Sequence, residues 1–194
     1  WGAVQTPLTG AFNVRNCLAV IAAAEAVGAD RERVREGLRT FASVKRRMEV
    51  RGEVRGVTVI DDFAHHPTAV RETINAIRLR YAGRRVWAVF EPRSNTSRRN
   101  IHQHEYARAF DGASLATLKV PEHHDKVPLE EELNVPELVE EIRALGTPAD
   151  ALRTVDEILA AVSSGAKPGD VILVMSNGAF GGFIPKLIDA LKKR

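Results

Sequence analysis

The sequence predicts an α/β fold, namely a Rossmann-like, mostly parallel sheet with helices on both faces, preceded by two helices. Two observations lead to this prediction. From residue 57 onward, short apolar runs rich in β-branched residues alternate with longer segments of helical periodicity, as in βαβ units. Before residue 45, helical patterns alone are found. We therefore divide the chain into a helical part, residues 1–44, and an α/β part, residues 45–194.

The helical part contains two predicted helices. The first covers residues 13–27 and ends before Gly28, because glycine is common just past helix C-termini. Asp30 is a residue type that caps helix N-termini, so a second helix is predicted from there to about Arg39. Cys17 lies on the apolar face of the first helix, and we interpret it as a core residue, not a nucleophile.

The α/β part begins with a predicted hairpin, because two alternating segments flank Arg55 and Gly56. Further strands are predicted at "RRVWAVF", "SLATLKV", a short segment near Leu152, and "DVILVM". Helices are predicted between and after these strands, at about residues 67–80, 101–111, 136–145, 155–163 and 182–193. This alternation is what predicts parallel strands covered by helices on both faces.

Composition excludes several classes of protein. The chain is 44% hydrophobic and 27% charged, which is typical of a globular domain. No apolar run approaches the roughly 20 residues that span a bilayer, so no membrane partner is expected. The net charge is +3, but only 6% of residues are aromatic and none alternate with basic residues, so we expect no nucleic-acid partner.

The cellular context is predicted from the cysteine content and the first residues. The single cysteine excludes an internal disulfide and fits a reducing compartment. The opening "WGAVQTPLTG" does not have the pattern of a signal peptide. We therefore expect a cytoplasmic protein. Because the sequence does not begin with Met, we also expect it to be a piece of a longer chain.

Polar loops follow four of the predicted strands. They are "DDFAHHP", "EPRSNTSRR", "PEHHDK" and "SNGAFGG". Because the carboxyl ends of parallel strands lie at one edge of a sheet, these loops are expected to converge there. Their convergence predicts a ligand site at that edge. The glycine-rich fourth loop could hold an anion, but it is better explained as a tight turn that packs a helix on a strand.

The loop at residues 61–67 allows three interpretations. Asp62 and His65 can face one pocket, where the acid would accept ribose hydroxyls and the histidine would donate to a phosphate or sugar oxygen. Alternatively, Asp61 or Asp62 caps the next helix and the histidines are solvated. A metal site is a weaker interpretation, because the spacing matches no zinc motif, although further histidines are present at His102, His104, His123 and His124.

The loop after the next strand is rich in arginine. Arg93, Arg98 and Arg99 are interspersed with hydroxyl and amide side chains. A guanidinium group matches a carboxylate or phosphate through two parallel hydrogen bonds, so the loop suits a ligand with several carboxylates. The alternative is that Arg98 and Arg99 begin the next helix and face water.

Three segments together resemble the Mur ligases of peptidoglycan assembly, and the resemblance covers essentially the whole chain. They are "LTGAFNVRNCLAVIAAAEAVG", "VKRRMEVRGEVRGVTVIDDFAHHPTAV" and "FEPRSNTSRR". The resemblance implies an ATP-dependent ligase of three domains. Residues 1–44 would be the helical end of the central ATP-binding domain, and residues 45–194 the C-terminal domain that binds the amine substrate.

The function that the resemblance implies is a step of cell-wall recycling. The ligase would join UDP-N-acetylmuramate to the tripeptide L-Ala-γ-D-Glu-meso-diaminopimelate through an acyl phosphate. The three carboxylates of that tripeptide would account for the arginine-rich loop, whereas L-alanine has only one. Two alternatives stay open, namely L-alanine as the amine substrate and a non-catalytic α/β binding module.

The resemblance also implies site residues. The ATP-binding positions are Asn13, Asn16, Arg47, Asp62 and His65, and the peptide-binding positions are Arg93, Ser94, Asn95 and Arg98. The cofactors are ATP and Mg²⁺, with the magnesium ligands expected in the central domain. Because no G-x-x-x-x-G-K-[ST] loop is present, we expect no catalytic residue, no metal ligand and no activity in this piece alone. Its partners would be the two small-molecule substrates.

Overall fold

The computed structural model of the protein describes residues 1–122 and 127–194 and contains two compact units. The first unit, Trp1–Lys45, is formed by α1 (Ala11–Ala26) and α2 (Arg31–Thr40). The Asp30 side chain accepts a hydrogen bond from the Arg33 amide at 2.9 Å, which confirms the predicted cap of α2. Cys17 is buried, as its position on the helix predicted.

The second unit, Arg46–Arg194, is a sheet flanked by helices. Its strands are β1 (Glu49–Val54), β2 (Val57–Asp62), β3 (Val86–Glu91), β4 (Leu115–Lys119), β5 (Ala149–Leu152) and β6 (Val171–Ser176). Its α-helices are α3 (Pro67–Arg80), α4 (Gln103–Ala109), α5 (Val135–Ala144), α6 (Val155–Gly165) and α7 (Phe183–Lys193). Short 3₁₀ turns occur at Asn100–His102, Leu129–Glu131 and Phe180–Gly182. These elements match those predicted from the sequence to within a few residues.

The strand order in the sheet is β1-β2-β6-β3-β4-β5. β1 pairs with β2 in antiparallel fashion, and the other neighbours are parallel, which confirms the mostly parallel sheet. The chain builds β2, β3, β4 and β5 in one direction and then returns to insert β6 between β2 and β3. Ligands of open α/β sheets bind where the strand order reverses, and here the carboxyl ends of β2, β6 and β3 meet at that point.

Both faces of the sheet are buried at β2, β6 and β3, which explains why these strands are almost continuously buried, whereas the edge strand β1 is partly exposed. On one face, Val59 and Val174 of the strands pack with Ile158 of α6 and Leu187 of α7. On the other face, the ring of Phe90 lies 5.4 Å from the Tyr106 ring and 5.7 Å from the Phe110 ring, measured between centroids. The apolar stripe of α3 is completely buried, as its periodicity predicted, and consists of Val70, Ile74 and Ile77.

The hairpin turn between β1 and β2 is also confirmed. Arg55 and Gly56 both have left-handed backbone angles, with φ of 51° and 78°. Two left-handed residues are what a two-residue turn needs to match the twist of its strands, and glycine adopts that conformation without a steric cost.

We expect Asp170→Asn to lower the free energy of unfolding by about 2 kcal/mol at pH 7. The Asp170 carboxylate is buried at the amino edge of the sheet, where it accepts from Arg85 Nε at 2.8 Å and from the Lys167 amide at 2.7 Å. Burial opposes its ionisation, but these hydrogen bonds outweigh burial and hold the pKa of Asp170 below its ordinary value. Because Arg85 is a third exposed, solvent screening keeps the expected loss below that of a fully buried pair.

The sign of the pH dependence follows from the lowered pKa of Asp170. The ionised carboxyl stabilises the fold above its unfolded-state pKa of about 3.9, and that stabilisation is lost as the pH falls through the folded-state pKa. The difference between the two proteins in urea unfolding should therefore shrink below about pH 4. Asp150→Asn is the matched control, because the Asp150–Arg143 pair is exposed and its loss should be undetectable. Equal effects of the two variants would contradict the prediction.

Candidate functional site

The Asp62 carboxylate lies at the carboxyl end of β2 and is buried, with 3% of its surface exposed. One oxygen accepts from the Met48 amide at 2.8 Å, and the other accepts from the Ala64 amide at 2.8 Å and from the Thr73 hydroxyl at 3.4 Å. Burial raises the pKa of Asp62, while the two amides and the charge of Arg47 oppose that shift. Asp62 thus ties the Arg46–Met48 segment to the end of β2 instead of projecting into solvent.

The two histidines of this loop point to different partners. The His65 ring bonds the Phe63 carbonyl through Nδ1 at 2.9 Å, and its backbone carbonyl accepts from the Tyr106 hydroxyl. His66 caps α3 by accepting from the Thr68 amide, and its ring lies 4.8 Å from the His102 ring. The interpretation that an aspartate caps this helix is therefore wrong, because the aspartates of the loop are engaged elsewhere and the cap falls to His66.

The segment that enters β1 carries two arginines that lie against one aromatic ring. The guanidinium carbons of Arg46 and Arg47 lie 5.2 and 5.6 Å from the centre of the Phe63 ring, within the range of cation–π attraction. Arg46 donates to the carbonyls of Ser176 and Gly178 at 2.5 and 2.7 Å. Arg47 is exposed, and within the described residues it forms no hydrogen bond or ion pair, so its charge is available to an anionic ligand.

The Arg93 side chain, from the loop after β3, lies directly on the backbone of Gly178, in the loop after β6. A Cβ atom placed on Gly178 would be 1.7 Å from Arg93 Nη1 and 2.3 Å from its Cδ. Only glycine therefore leaves room for this arginine. In the part of the chain that the structure describes, the exposed Arg93 guanidinium has no hydrogen-bonding or ionic partner.

Two buried polar atoms close to this edge have no hydrogen-bond partner within residues 1–122 and 127–194. They are Nε of Arg98 and Oδ1 of Asn177, in the loops after the neighbouring strands β3 and β6. Buried polar atoms are nearly always hydrogen-bonded in native proteins, so these two atoms are candidates for hydrogen bonds with a bound ligand. A donor that is fixed on a guanidinium and an amide acceptor together suit a ligand that carries both a carboxylate and an N–H group.

The other predicted residues of the arginine-rich loop differ in whether their side chains are free to contact a ligand. The Ser94 hydroxyl is engaged within the loop, since it accepts from the Ser97 amide at 3.0 Å. Asn95 is exposed. Arg99 immediately precedes the 3₁₀ turn that leads into α4, as the alternative for this loop states, but it pairs with Glu131 at 2.6 Å instead of facing water.

Asn13 and Asn16 belong to the first unit and lie on one face of α1. Asn13 is buried and donates through Nδ2 to the Thr9 carbonyl at 2.8 Å. Its Oδ1 accepts from Asn16 Nδ2 at 3.4 Å, so the two amides are linked to each other. Asn16 is exposed and has a free carbonyl oxygen among the described residues, as a purine contact would require.

Across residues 1–122 and 127–194, no three His, Cys, Asp or Glu side chains lie close enough to hold a metal ion. His102 pairs with Glu105, and His104 pairs with Glu141 at 3.0 Å. The weaker metal interpretation also included His123 and His124, which lie outside the described residues. In the same ranges, no helix is long and apolar enough to cross a membrane.

Sequence reasoning missed Arg46, Phe63 and Asn177, and it treated the loop after β6 only as a turn. That turn does pack a helix on a strand, since Phe180 and Phe183 lie in one buried cluster with Val174 of β6 and Leu187 of α7. The adjacent arginines of "KRR" gave a signal for Arg46, but its long reach to the β6 loop depends on strand order, which the sequence does not show.

Comparisons with known proteins agree with this architecture. Residues 46–178 match the family model described as the Mur ligase, glutamate ligase domain. A UDP-N-acetylmuramate–L-alanyl-γ-D-glutamyl-meso-2,6-diaminoheptandioate ligase of Escherichia coli is 42% identical over 195 residues, which cover 100% of this chain and 40% of that protein. A UDP-N-acetylmuramate–L-alanine ligase of Symbiobacterium thermophilum is 34% identical, with coverage of 100% and 40%.

A solved structure gives the same result. The crystal structure of a murein peptide ligase from Psychrobacter arcticus superimposes with a TM-score of 0.74 at 36% identity, covering 98% of this chain and 39% of that one. The chain thus spans about two fifths of the length of these relatives. Because the family model covers more than half of it, the chain belongs to the Mur ligase family, in the part of that family known as the glutamate ligase domain.

Proposed function

We propose that the chain is the C-terminal part of an ATP-dependent ligase that joins UDP-N-acetylmuramate to L-Ala-γ-D-Glu-meso-diaminopimelate during peptidoglycan recycling. Residues 1–44 would be the end of the central ATP-binding domain, and residues 45–194 the domain that binds the tripeptide. The relative from Escherichia coli, whose name gives this reaction, supports the choice of substrate. A cytoplasmic location follows from the use of ATP and a nucleotide sugar.

The observation that carries the proposal is the set of unpaired groups at the carboxyl edge. Arg93 has no ionic partner in the described ranges, and Arg98 has a buried Nε without an acceptor. Leaving a buried donor unpaired costs about 1–3 kcal/mol, so the site favours a ligand that supplies carboxylates. The tripeptide has three carboxylates. Arg93 and Arg98 would hold it, and the exposed Asn95 would contribute a further hydrogen bond.

On the nucleotide side, the exposed guanidinium of Arg47 fits an anion such as a phosphate. His65 belongs to the loop after β2, and its ring and the Arg47 guanidinium both lie against the ring of Phe63. Asp62 fits less simply, because its oxygens already accept three hydrogen bonds. We infer that Asp62 acts chiefly by fixing the segment that carries Arg47, and that a ribose would have to compete for its oxygens. Asn13 and Asn16 would contact adenine from the first unit.

The chemistry of the reaction explains why no nucleophilic side chain is needed. ATP supplies activation, because it converts the unreactive muramyl carboxylate into an acyl phosphate that a free amine can attack. As the family resemblance implies, the magnesium ligands would belong to the central domain. The contribution of this part is to bind and orient the tripeptide, a positioning effect that can be large.

A second candidate is a ligase that uses L-alanine as its amine substrate. The relative from Symbiobacterium thermophilum, with that name, is 34% identical over the same length. The ATP-binding residues would be unchanged, and only the amine pocket would differ. L-Alanine offers a single carboxylate to the two guanidinium groups of Arg93 and Arg98, since Arg99 already pairs with Glu131.

We expect the intact ligase, supplied with ATP, Mg²⁺ and UDP-N-acetylmuramate, to release phosphate with the tripeptide at least about 100 times faster than with L-alanine at equal concentration. The physical reason is that a site built around several guanidinium groups rejects a ligand that leaves them unpaired. Reactions without UDP-N-acetylmuramate give the background rate of ATP hydrolysis. Faster turnover with L-alanine would support the second candidate, the L-alanine ligase. Turnover with neither amine would favour a non-catalytic module.

A further inference from the structure

We propose that Arg46 is a positioning residue that holds the Ser176–Gly178 loop in place and, through that loop, sets the position of Arg93. This proposal rests on the proposed function only in its substrate, the tripeptide. The arrangement itself depends on contacts within the second unit.

The contacts of Arg46 reach three parts of the site. Its Nη2 donates to the carbonyls of Ser176 and Gly178 at 2.5 and 2.7 Å, and its Nε lies 3.4 Å from the Asp61 carboxylate. Its guanidinium also lies over the Phe63 ring. One side chain thus joins the end of β2, the segment before β1 and the loop after β6, which are the parts that form the carboxyl edge.

The backbone conformation of Arg46 is one that favours glycine over a residue with a side chain. Its φ is 58°, a left-handed value that a branched or long residue adopts at a steric cost and that glycine adopts freely. The conformation is stabilised locally, because the Arg46 amide donates to Glu49 at 2.8 Å and its carbonyl accepts from the Phe63 amide at 2.9 Å. Glycine would suit this turn better, so the arginine is best explained by what its guanidinium holds.

The Arg46 guanidinium fixes the backbone on which the Arg93 side chain lies. Gly178 provides one of the two carbonyls, and the Arg93 side chain lies on that same glycine. The loop is otherwise held at Ser176, whose hydroxyl accepts from the Gly178 amide at 2.9 Å and donates to Glu91 at 2.5 Å. Without Arg46, the Gly178 carbonyl would lose its partner, and Arg93 would lose a fixed surface.

The test uses Arg46→Gly in the intact ligase, because glycine relieves the left-handed strain and keeps the turn able to fold. We expect this variant to raise the KM for the tripeptide about 10-fold and to change kcat less than about twofold. Arg46→Lys, which keeps a cation but offers no fork of donors, should restore only part of the affinity. In an Arg93→Ala background, Arg46→Gly should change the KM less than about twofold, because Arg46 acts through Arg93.

Arg84→Met is the matched control. Arg84 also clamps backbone carbonyls, donating to Gly169 at 2.7 Å and to Asp170 at 2.9 Å, but at the opposite edge of the sheet. The Arg84→Met substitution should lower the melting temperature and leave the KM for the tripeptide unchanged. Equal increases in KM from the Arg84 and Arg46 variants, or additive effects of the Arg46 and Arg93 substitutions, would overturn the proposal.

Hydrogen exchange of the amides of residues 176–183 separates this proposal from the proposed function. In Arg46→Gly these amides should exchange at least about 10-fold faster than in the wild type, whereas in Arg84→Met they should not. If the wild-type enzyme shows no turnover with the tripeptide, the substrate assignment is refuted. The exchange rates would still decide the role of Arg46. Unchanged exchange in Arg46→Gly would overturn that role whatever the substrate.

Discussion

Gly178→Ala is expected to raise the KM for the tripeptide about 30-fold in the intact ligase, which corresponds to about 2 kcal/mol of lost binding. The new Cβ would coincide with the place that the Arg93 side chain occupies, at 1.7 Å from Nη1 and 2.3 Å from Cδ. Because Arg93 is flexible and exposed, it can move aside without disturbing the core. Stability should therefore change little while the peptide site is lost, and steady-state kinetics with each substrate varied in turn would measure this.

Two comparisons sharpen the test. Arg93→Ala should raise the KM for the tripeptide as much as Gly178→Ala does and leave the KM for ATP almost unchanged. Adding Gly178→Ala to Arg93→Ala should have no further effect. Gly37→Ala provides the matched control, since a Cβ at that helical position meets open space. Similar increases in the KM for ATP and for the tripeptide would remove Arg93 from peptide recognition.

Asp62→Ala is expected to lower the free energy of unfolding by about 3 kcal/mol, the largest stability effect that we predict. The substitution leaves the buried amides of Met48 and Ala64 without acceptors, each at a cost of about 1–3 kcal/mol. Removing a buried charge that burial disfavours offsets part of that sum. Urea unfolding at pH 7 would measure the difference.

Thr73→Val is the control for Asp62. It removes one longer hydrogen bond, of 3.4 Å, and leaves both amides paired, so it should cost less than about 1 kcal/mol. If the Asp62 carboxylate fixes the segment before β1, Asp62→Ala should also raise the KM for ATP by displacing Arg47. A variant with wild-type stability and a raised KM for ATP would instead assign the carboxylate to the nucleotide alone.

The sequence was informative wherever a local pattern determines the structure. The apolar stripe of α3, the Asp30 cap and the turn at Arg55 and Gly56 each depend on residues a few positions apart, and each is confirmed. The convergence of the loops after β3 and β6 could be predicted as well, because parallel strands place their carboxyl ends at one edge. The family resemblance supplied what periodicity could not, namely a reaction and a set of candidate residues.

The rest could not be predicted, because it depends on contacts between residues distant in the chain. Arg46 reaches Ser176 across 130 positions, and that contact exists only because β6 lies next to β2. Similarly, the sequence shows that Asp62 is acidic but not that backbone amides surround its carboxylate. The sequence left open that Asp61 or Asp62 caps α3, because aspartate is a common capping residue, whereas His66 occupies that position.

The late insertion of β6 has a consequence for how the domain is made. β2 and β3 form no ladder with each other, and each pairs with β6 instead. During synthesis, the β1–β2 hairpin and the β3–β4–β5 sheet therefore share no strand ladder until residues 171–176 become available to join them. Contacts between segments so far apart in sequence form slowly. The candidate site combines loops from both parts of the sheet, so it can be completed only after this last joining step, and an unfinished chain exposes open strand edges.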